Sequence, residues 1–314
     1  MIRFLEWSAL KGGALLAVGV FAGVLIPPLA AATRDVVAPV VFCLMTLVLL
    51  RVDTAQVLGY LRRPALVAAL LLWVLVVSPL VVFAITWVLG FQGTLAAAVV
   101  IMATGCAATS SPAFARLVGL DGEVALVVAV LSTLLVPFTA PPLALGLLGI
   151  DLSISLPALM ARLALVVELP LVLSIVIRRV VGQARLARYG RAVDGAVVLL
   201  VVLYGFGVMD GMAARILSDP LWVAAGTALA FLGNFGVNAL TAAAFMPLAG
   251  SRVALSAGLL SGNRNMSLYI AVLPATTHPD ILLFFALCQF PLFLSPFLLR
   301  PVYDRLRSRG LGEA

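Results

Sequence analysis

The chain has 314 residues, 64% of them hydrophobic and 11% charged, with a mean hydropathy of +1.21 and a net charge of +7. Soluble domains hold roughly 45–50% apolar and about 25% charged residues, so this composition excludes a water-soluble globule and implies an integral membrane protein. The positive charge does not imply a nucleic-acid partner, because the arginines fall in short segments between apolar runs and read as topology signals.

A bilayer core of about 30 Å takes about 20 residues of apolar helix. Ten such segments are predicted, at 10–31, 36–53, 64–90, 94–118, 122–148, 157–178, 192–214, 219–249, 252–276 and 280–303. The N-terminal stretch carries Arg3 and Lys11 but no small-x-small cleavage site, so it is expected to stay in the mature chain. Cys43, Cys106 and Cys288 all lie within apolar segments and are expected to be small buried hydrophobes. His278, in a short loop beside Asp280, cannot build a metal site alone, and no metal or cofactor is expected.

The basic residues divide unequally between the two sides. With a cytoplasmic N-terminus, one side receives Arg3, Lys11, Arg51, Arg62, Arg63, Arg116, Arg178, Arg179, Arg185, Arg188, Arg191, Arg252, Arg300, Arg305, Arg307 and Arg309. The other side receives only Arg34, Arg162 and Arg215. That asymmetry predicts an even number of spans, with both termini in the cytoplasm and the protein in the cell inner membrane.

The spacing repeats. Segments two to five begin near 36, 64, 94 and 122, and segments seven to ten near 192, 219, 252 and 280. Five helices per half is an odd number, so the second half enters the bilayer inverted. The expected fold is therefore all-α and polytopic, with one transporter unit over 1–314 made of inverted repeats at 1–150 and 151–314.

Helix interruptions at matching places in such halves mark a binding site. The fourth segment contains "TGCAATSSPAF" (104–114), and the ninth contains "LLSGNRNMSL" (259–268). Gly105 frees the chain, and Ser111-Pro112 fits an N-cap followed by proline at the first helical position. Ser261, Gly262 and Asn263 supply a flexible point and caps in the second break. Unwound backbone is tolerated in a bilayer only where protein or a wet cavity covers it, so the two breaks are expected to share a polar site. The candidate substrate-binding residues are Thr109, Ser110, Ser111, Ser261, Asn263, Arg264 and Asn265.

These residues resemble the bile acid:sodium symporter family. "GLDGEVALVVAVLSTLLVPFTAPPL" is similar to its helices four and five, and "GNRNMSLYIAVLP" to its helix nine. The resemblance implies ten helices, with discontinuous helices four and nine crossing. It also implies a panel domain (about 10–53 and 157–214), a core domain (about 64–148 and 219–303), and organic anions as substrates. The panel would rock against the core around the crossover.

The departures from the family pattern are specific. Ala113 and Phe114 stand where sodium-coupled members carry Ser-Asn, and Leu260 stands where they carry glutamate. Arg264 replaces the family glutamine, whereas Asn265 is kept. Val127 and Leu131 fall where hydroxyl ligands are expected. A hard cation needs several oxygen ligands, so a site altered in this way is not expected to bind sodium.

Arg264 is the one basic residue away from the loops and helix ends. An arginine at the middle of a membrane helix costs about 2.5–3.5 kcal/mol on insertion scales, so it should face a cavity or a partner. Two functional readings are open: a fixed charge replacing a cation, or a fork of donors binding an anion. A third is structural, in which Arg264 pairs with Glu168, the one carboxylate well inside a span. Glu168 itself can be a proton site, a counter-ion or part of a kink before Pro170. Asn234 and Asn238 read as hydrogen-bonding glue between helices. Asp210 is expected to be solvated, and Gln289 to line the core.

The expected function is alternating-access transport of a small organic anion without sodium coupling. The alternatives are a sodium-coupled symporter and a passive channel-like facilitator. No paired carboxylates, Ser/His pair or metal cluster points to an enzyme. A reporter active only in the cytoplasm, fused after Ala314, should be active. Activity only from a reporter that works outside the cytoplasm would overturn ten spans with a cytoplasmic N-terminus.

Overall fold

The computed structural model describes residues 2–52, 59, 63–147, 154–274 and 276–308. The expected repeat boundary at 150/151, and Arg62 and Arg309, lie outside the described residues.

The described residues form α1 (Ile2–Leu10), α2 (Gly12–Leu25), α3 (Pro27–Arg34) and α4 (Val37–Leu50). Next come α5 (Pro64–Val88), with a π-helical turn at Trp73–Val77, then α6 (Thr94–Thr104), α7 (Ser111–Leu117) and α8 (Gly122–Gly146). They are followed by α9 (Leu156–Val181), α10 (Gln183–Arg188), α11 (Gly190–Val208), α12 (Met212–Ser218) and α13 (Pro220–Gly262). Last are α14 (Met266–Val272), α15 (Pro279–Leu287) and α16 (Gln289–Ser308).

Among the described residues, six helices are long and apolar enough to cross a membrane, or seven if α3 and α4, bent by 72°, count as one span. The difference from ten expected segments has identifiable causes. The fourth segment is divided between α6 and α7, each too short alone. The first is divided at Ile26-Pro27, where proline opens a new helix. The eighth and the start of the ninth run together as α13, 43 residues long and turned at Gly250 (φ 74°), three residues after Pro247.

The chain forms two compact units. One comprises Met1–Val52, Ala161–Val223 and Ser267–Leu273, and the other Asp53–Met160, Ala224–Met266 and Pro274–Ala314.

In the first unit, α11 packs against α1, α2, α3 and α4. Close approach depends on small residues, as is usual where lipid removes any hydrophobic drive for helices to associate. A Cβ on Gly19 would stand 3.0 Å from the Val202 Cα, and one on Gly23 would stand 2.9 Å from the Phe206 carbonyl oxygen. A Cβ on Gly195 would run into the Leu5 carbonyl oxygen. Polar ties hold the helix ends. Arg51 forms a bidentate pair with Asp194 (2.9 and 3.2 Å). Arg178 donates to the Leu49 carbonyl (2.6 Å) and to that of Val52, so a cation closes the C-terminal end of α4. Before the N-terminal end of α4, Arg34 meets Asp210 at 3.0 Å, so Asp210 is paired rather than merely solvated. Cys43 on α4 is exposed and is not the buried hydrophobe expected, because it lies on the side of the helix away from Val41, Leu44 and Met45.

In the second unit, Asp121 caps α8 by accepting from the Glu123 (2.9 Å) and Val124 (3.1 Å) amides. The core gathers Leu70, Val74 and Leu75 of α5, Val124, Ala125 and Val128 of α8, and Leu255, Leu259 and Leu260 of α13. Trp73 donates to the Thr241 hydroxyl at 2.7 Å and meets Phe245 edge-on at 5.7 Å. Beyond the Gly250 turn, Gly258 and Gly262, four apart, lie against the backbone of Asn238 and Asn234 on the first limb of α13.

Gly195→Ala should lower the thermal unfolding temperature in detergent, since overpacking against backbone costs about 1–3 kcal/mol. Gly236→Ala, whose Cβ meets nothing within 4 Å, is the matched control and should not destabilise. Equal effects of the two would refute the close-packing account.

Candidate functional site

The two breaks meet. Gly105 leaves α6 with extended backbone (φ −63°, ψ 155°), and α7 restarts at Ser111. α13 stops at Gly262, and α14 restarts at Met266. Between them Ala107 and Arg264 form an antiparallel bridge, the one isolated bridge among the described residues. The Ala108 amide donates to the Asn263 carbonyl (2.7 Å), and the Asn265 amide donates to the Cys106 carbonyl (2.9 Å). The Ala107 amide reaches the Ser132 hydroxyl of α8 at 3.2 Å. Each unwound stretch therefore supplies the backbone partners that the other lost when its helix ended.

Arg264 is 4% exposed. Its Nη1 donates to the Gly105 carbonyl at 2.7 Å and to the Val74 carbonyl at 2.8 Å, and its Nη2 to the Ser78 hydroxyl at 2.6 Å. Local sequence explains both carbonyls. Gly105 is the C-cap of α6, where helix carbonyls lack amide partners and the dipole is negative. In the π-helical turn of α5, the Ser78 amide bonds the Trp73 carbonyl five residues back. The next such bond would run from residue 79 to Val74, but Pro79 has no N–H. Arg264 supplies a donor in its place, beside the Ser78 hydroxyl, which reaches the same carbonyl at 3.3 Å.

The described acceptors of Arg264 are thus the negative end of α6, a second backbone carbonyl and a hydroxyl. These are oxygen partners of the kind a bound cation takes.

The remaining predicted residues separate by burial. Asn263 is fully buried: it accepts from the Asn234 amide (3.0 Å) and donates to Ser295 (3.0 Å). Asn238 donates to the Tyr303 hydroxyl at 3.1 Å, so both α13 asparagines join one helix segment to another. Asn265 is 6% exposed and is held through its backbone. Ser111 and Ser261 are fully buried, and their hydroxyls have no hydrogen-bond partner among the described residues. Thr109 and Ser110 are half-buried. Ser110, not Ser111, is the N-cap of α7, and it makes no side-chain capping bond. Helix entry shifted by one residue because Pro112 is accepted at the second helical position as well as the first. Pro112 and Gly262 are both buried, and a Cβ at Gly262 would strike the Asn234 carbonyl oxygen.

Leu260 is fully buried in the apolar core, and Ala113 is exposed. α8 does bring hydroxyls to the crossing, at Ser132 and Thr133 rather than at 127 and 131. The Thr133 hydroxyl lies 3.5 Å from the Cys106 sulfur. Gln289 is buried and donates to the Phe285 carbonyl of the preceding turn. Glu168, half-buried on α9 in the first unit, has no hydrogen-bond or ion-pair partner among the described residues. Sequence reasoning missed Val74, Ser78 and Pro79. The Ser-Pro pair inside the third segment is the signal that could have found them.

The sequence matches the model of the sodium bile acid symporter family over residues 38–219, a stretch that includes the first break and ends before the second. Among curated proteins, none matches the chain.

Arg264→Met should lower thermal stability, because the Gly105 carbonyl loses the Arg264 donor and the Val74 carbonyl keeps only the longer bond from Ser78, and a buried carbonyl left unmet costs about 1–3 kcal/mol. Adding Pro79→Ala restores an amide for the Val74 carbonyl and should recover part of the loss. Strictly additive destabilisation in the double variant would show that Arg264 does not serve that carbonyl.

Proposed function

We propose that this chain, a membrane transporter that belongs to the sodium bile acid symporter family, carries a small organic anion by alternating access without sodium as its coupling ion. One observation carries this reading: the Arg264 guanidinium is bound by the Gly105 and Val74 carbonyls and the Ser78 hydroxyl at the crossing of the two breaks. A permanent, covalently tethered cation there does the electrostatic work of a bound ion and neutralises the negative end of α6. The buried Leu260, where sodium-coupled relatives would carry an acid, supports the same reading.

Both Nη1 hydrogens are engaged by carbonyls. The role proposed for Arg264 is therefore to hold the crossing and set its potential, with the anion attracted by the field and not by a free fork. The half-buried Thr109 and Ser110, at the outlet of the first break, are the side chains proposed to meet substrate. Ser111, Ser261, Asn263 and Asn265 form the buried frame behind them. Glu168, half-buried and unpaired among the described residues, is proposed as a proton site or counter-ion.

The wider architecture proposed is ten spans in two inverted repeats of five, supported by the matching positions of the two breaks. The proposed panel (about 10–53 and 157–214) and core (about 64–148 and 219–303) are supported by the division of the chain into two compact units, although Ser267–Leu273 of the proposed core falls in the first unit. Both termini are placed in the cytoplasm on the charge asymmetry. Arg51, Arg178 and Asp194 gathered at the C-terminal end of α4, with Arg34 and Asp210 before its N-terminal end, are consistent with that placement.

A metabolite-anion screen by thermal shift identifies a ligand for uptake assays, since binding raises apparent stability. Uptake into proteoliposomes should be unchanged when potassium or choline replaces sodium at constant ionic strength, and should be accelerated by substrate preloaded inside. A steep, saturable sodium requirement would establish the sodium-coupled alternative, and absence of trans-acceleration the channel-like one. Arg264→Gln should reduce uptake by at least about tenfold at matched membrane abundance, with Arg264→Lys intermediate, because lysine keeps the charge but not the planar geometry. Wild-type uptake by Arg264→Gln would overturn the proposal.

A further inference from the structure

We infer that the segment joining α9 to α11 is a binding surface for anionic phospholipid headgroups. It carries five arginines, at 178, 179, 185, 188 and 191, and contains no carboxylate between Glu168 and Asp194. Two neighbouring charges are already used: Arg178 closes the end of α4, and Arg51 takes both oxygens of Asp194. Arg179, Arg185, Arg188 and Arg191 remain, all exposed and with no ion pair among the described residues.

These four charges fall within thirteen residues of one another on a short basic shelf between two helices. Gly182 turns the chain out of α9 with φ 81°, a conformation that favours glycine. The short helix α10 follows, and Tyr189 leads into α11. Arg185 and Arg188 occupy neighbouring positions on α10, three residues apart. The Arg188 guanidinium stacks over the Tyr189 ring at 5.8 Å, and Tyr189 is 43% exposed. Val180, beside Arg179, is 79% exposed. The shelf thus combines uncovered apolar and aromatic side chains with unpaired guanidinium groups. It also joins two helices that are long and apolar enough to span a bilayer.

That combination fits the boundary between acyl chains and headgroups: Val180 and Tyr189 suit the apolar side while the four positive charges meet the phosphates. The lipid phosphate is the anion that this position meets at high local concentration. Topology alone requires only that positive charge be present. The absence of acids, the exposure of all four arginines and the stacked tyrosine point in addition to a lipid that is bound.

The test is a thermal-shift titration of the purified full chain in detergent with phosphatidylglycerol, with phosphatidylcholine of the same acyl chains, and with inorganic phosphate. Saturable stabilisation by phosphatidylglycerol alone, weakened by salt, is expected. The variant with Arg179, Arg185, Arg188 and Arg191 all changed to Gln should bind at least about tenfold more weakly. The corresponding four-Lys variant, which keeps the charge, should retain most of the binding. A control with Arg300→Gln and Arg305→Gln in the second unit should bind like wild type. Equal shifts with phosphatidylcholine, an equal shift with inorganic phosphate, or undiminished binding by the four-Gln variant would each overturn the inference. If the four-Gln variant fails to fold, the wild-type lipid comparison and the Lys variant decide: binding lost in a folded Lys variant would exclude charge recognition.

Discussion

The second unit depends on how two helices can stop inside an apolar interior. Every helix end leaves carbonyls and amides without partners, and a bilayer offers no water to take them. Here the two breaks are placed against each other, so that Ala108 and Asn265 donate across to Asn263 and Cys106. Ser132 supplies a hydroxyl for the Ala107 amide, and Arg264 supplies donors for the Gly105 carbonyl. These backbone groups satisfy one another across the crossing, around which Arg264, Asn263 and Asn265 are buried.

Three small residues permit this. Gly105 allows the approach of Met266 and Arg264, and a Cβ there would stand 2.8 Å from the Met266 methyl. Gly258 and Gly262 let the second limb of α13 lie on the backbone of Asn234 and Asn238. That contact brings the Asn234 amide within 3.0 Å of Asn263 and thereby fixes the second break from behind. Small residues thus set distance, and the asparagines set register.

The arginine links three elements that sequence keeps far apart: the π-helical turn of α5, the end of α6 and the start of the second break. A guanidinium suits this place because its donors lie in a fixed plane and its charge persists at any physiological pH. A bound ion would leave by equilibrium. A tethered one cannot, so its release is not available as a step in transport. This is the physical link between the geometry of the crossing and the proposal that sodium does not couple this transporter.

The membrane class, the places of the two breaks and the singular status of Arg264 were legible in the sequence. Hydropathy, glycine and proline placement, and the cost of burying charge are local properties of the chain. Family membership was legible too, from "GEVALVV" and "STLLVP". The acceptors of Arg264 were not. They depend on a carbonyl freed by Pro79, some 185 residues earlier in the chain, and on an α6 terminus that only the crossing brings near. The division of the asparagines between frame and site, the hydroxyls at Ser132 and Thr133, and the outward face of Cys43 were likewise decided by tertiary packing. Hydropathy finds apolar segments but does not say which side of a helix is covered, or which of two adjacent residues a neighbouring helix will meet.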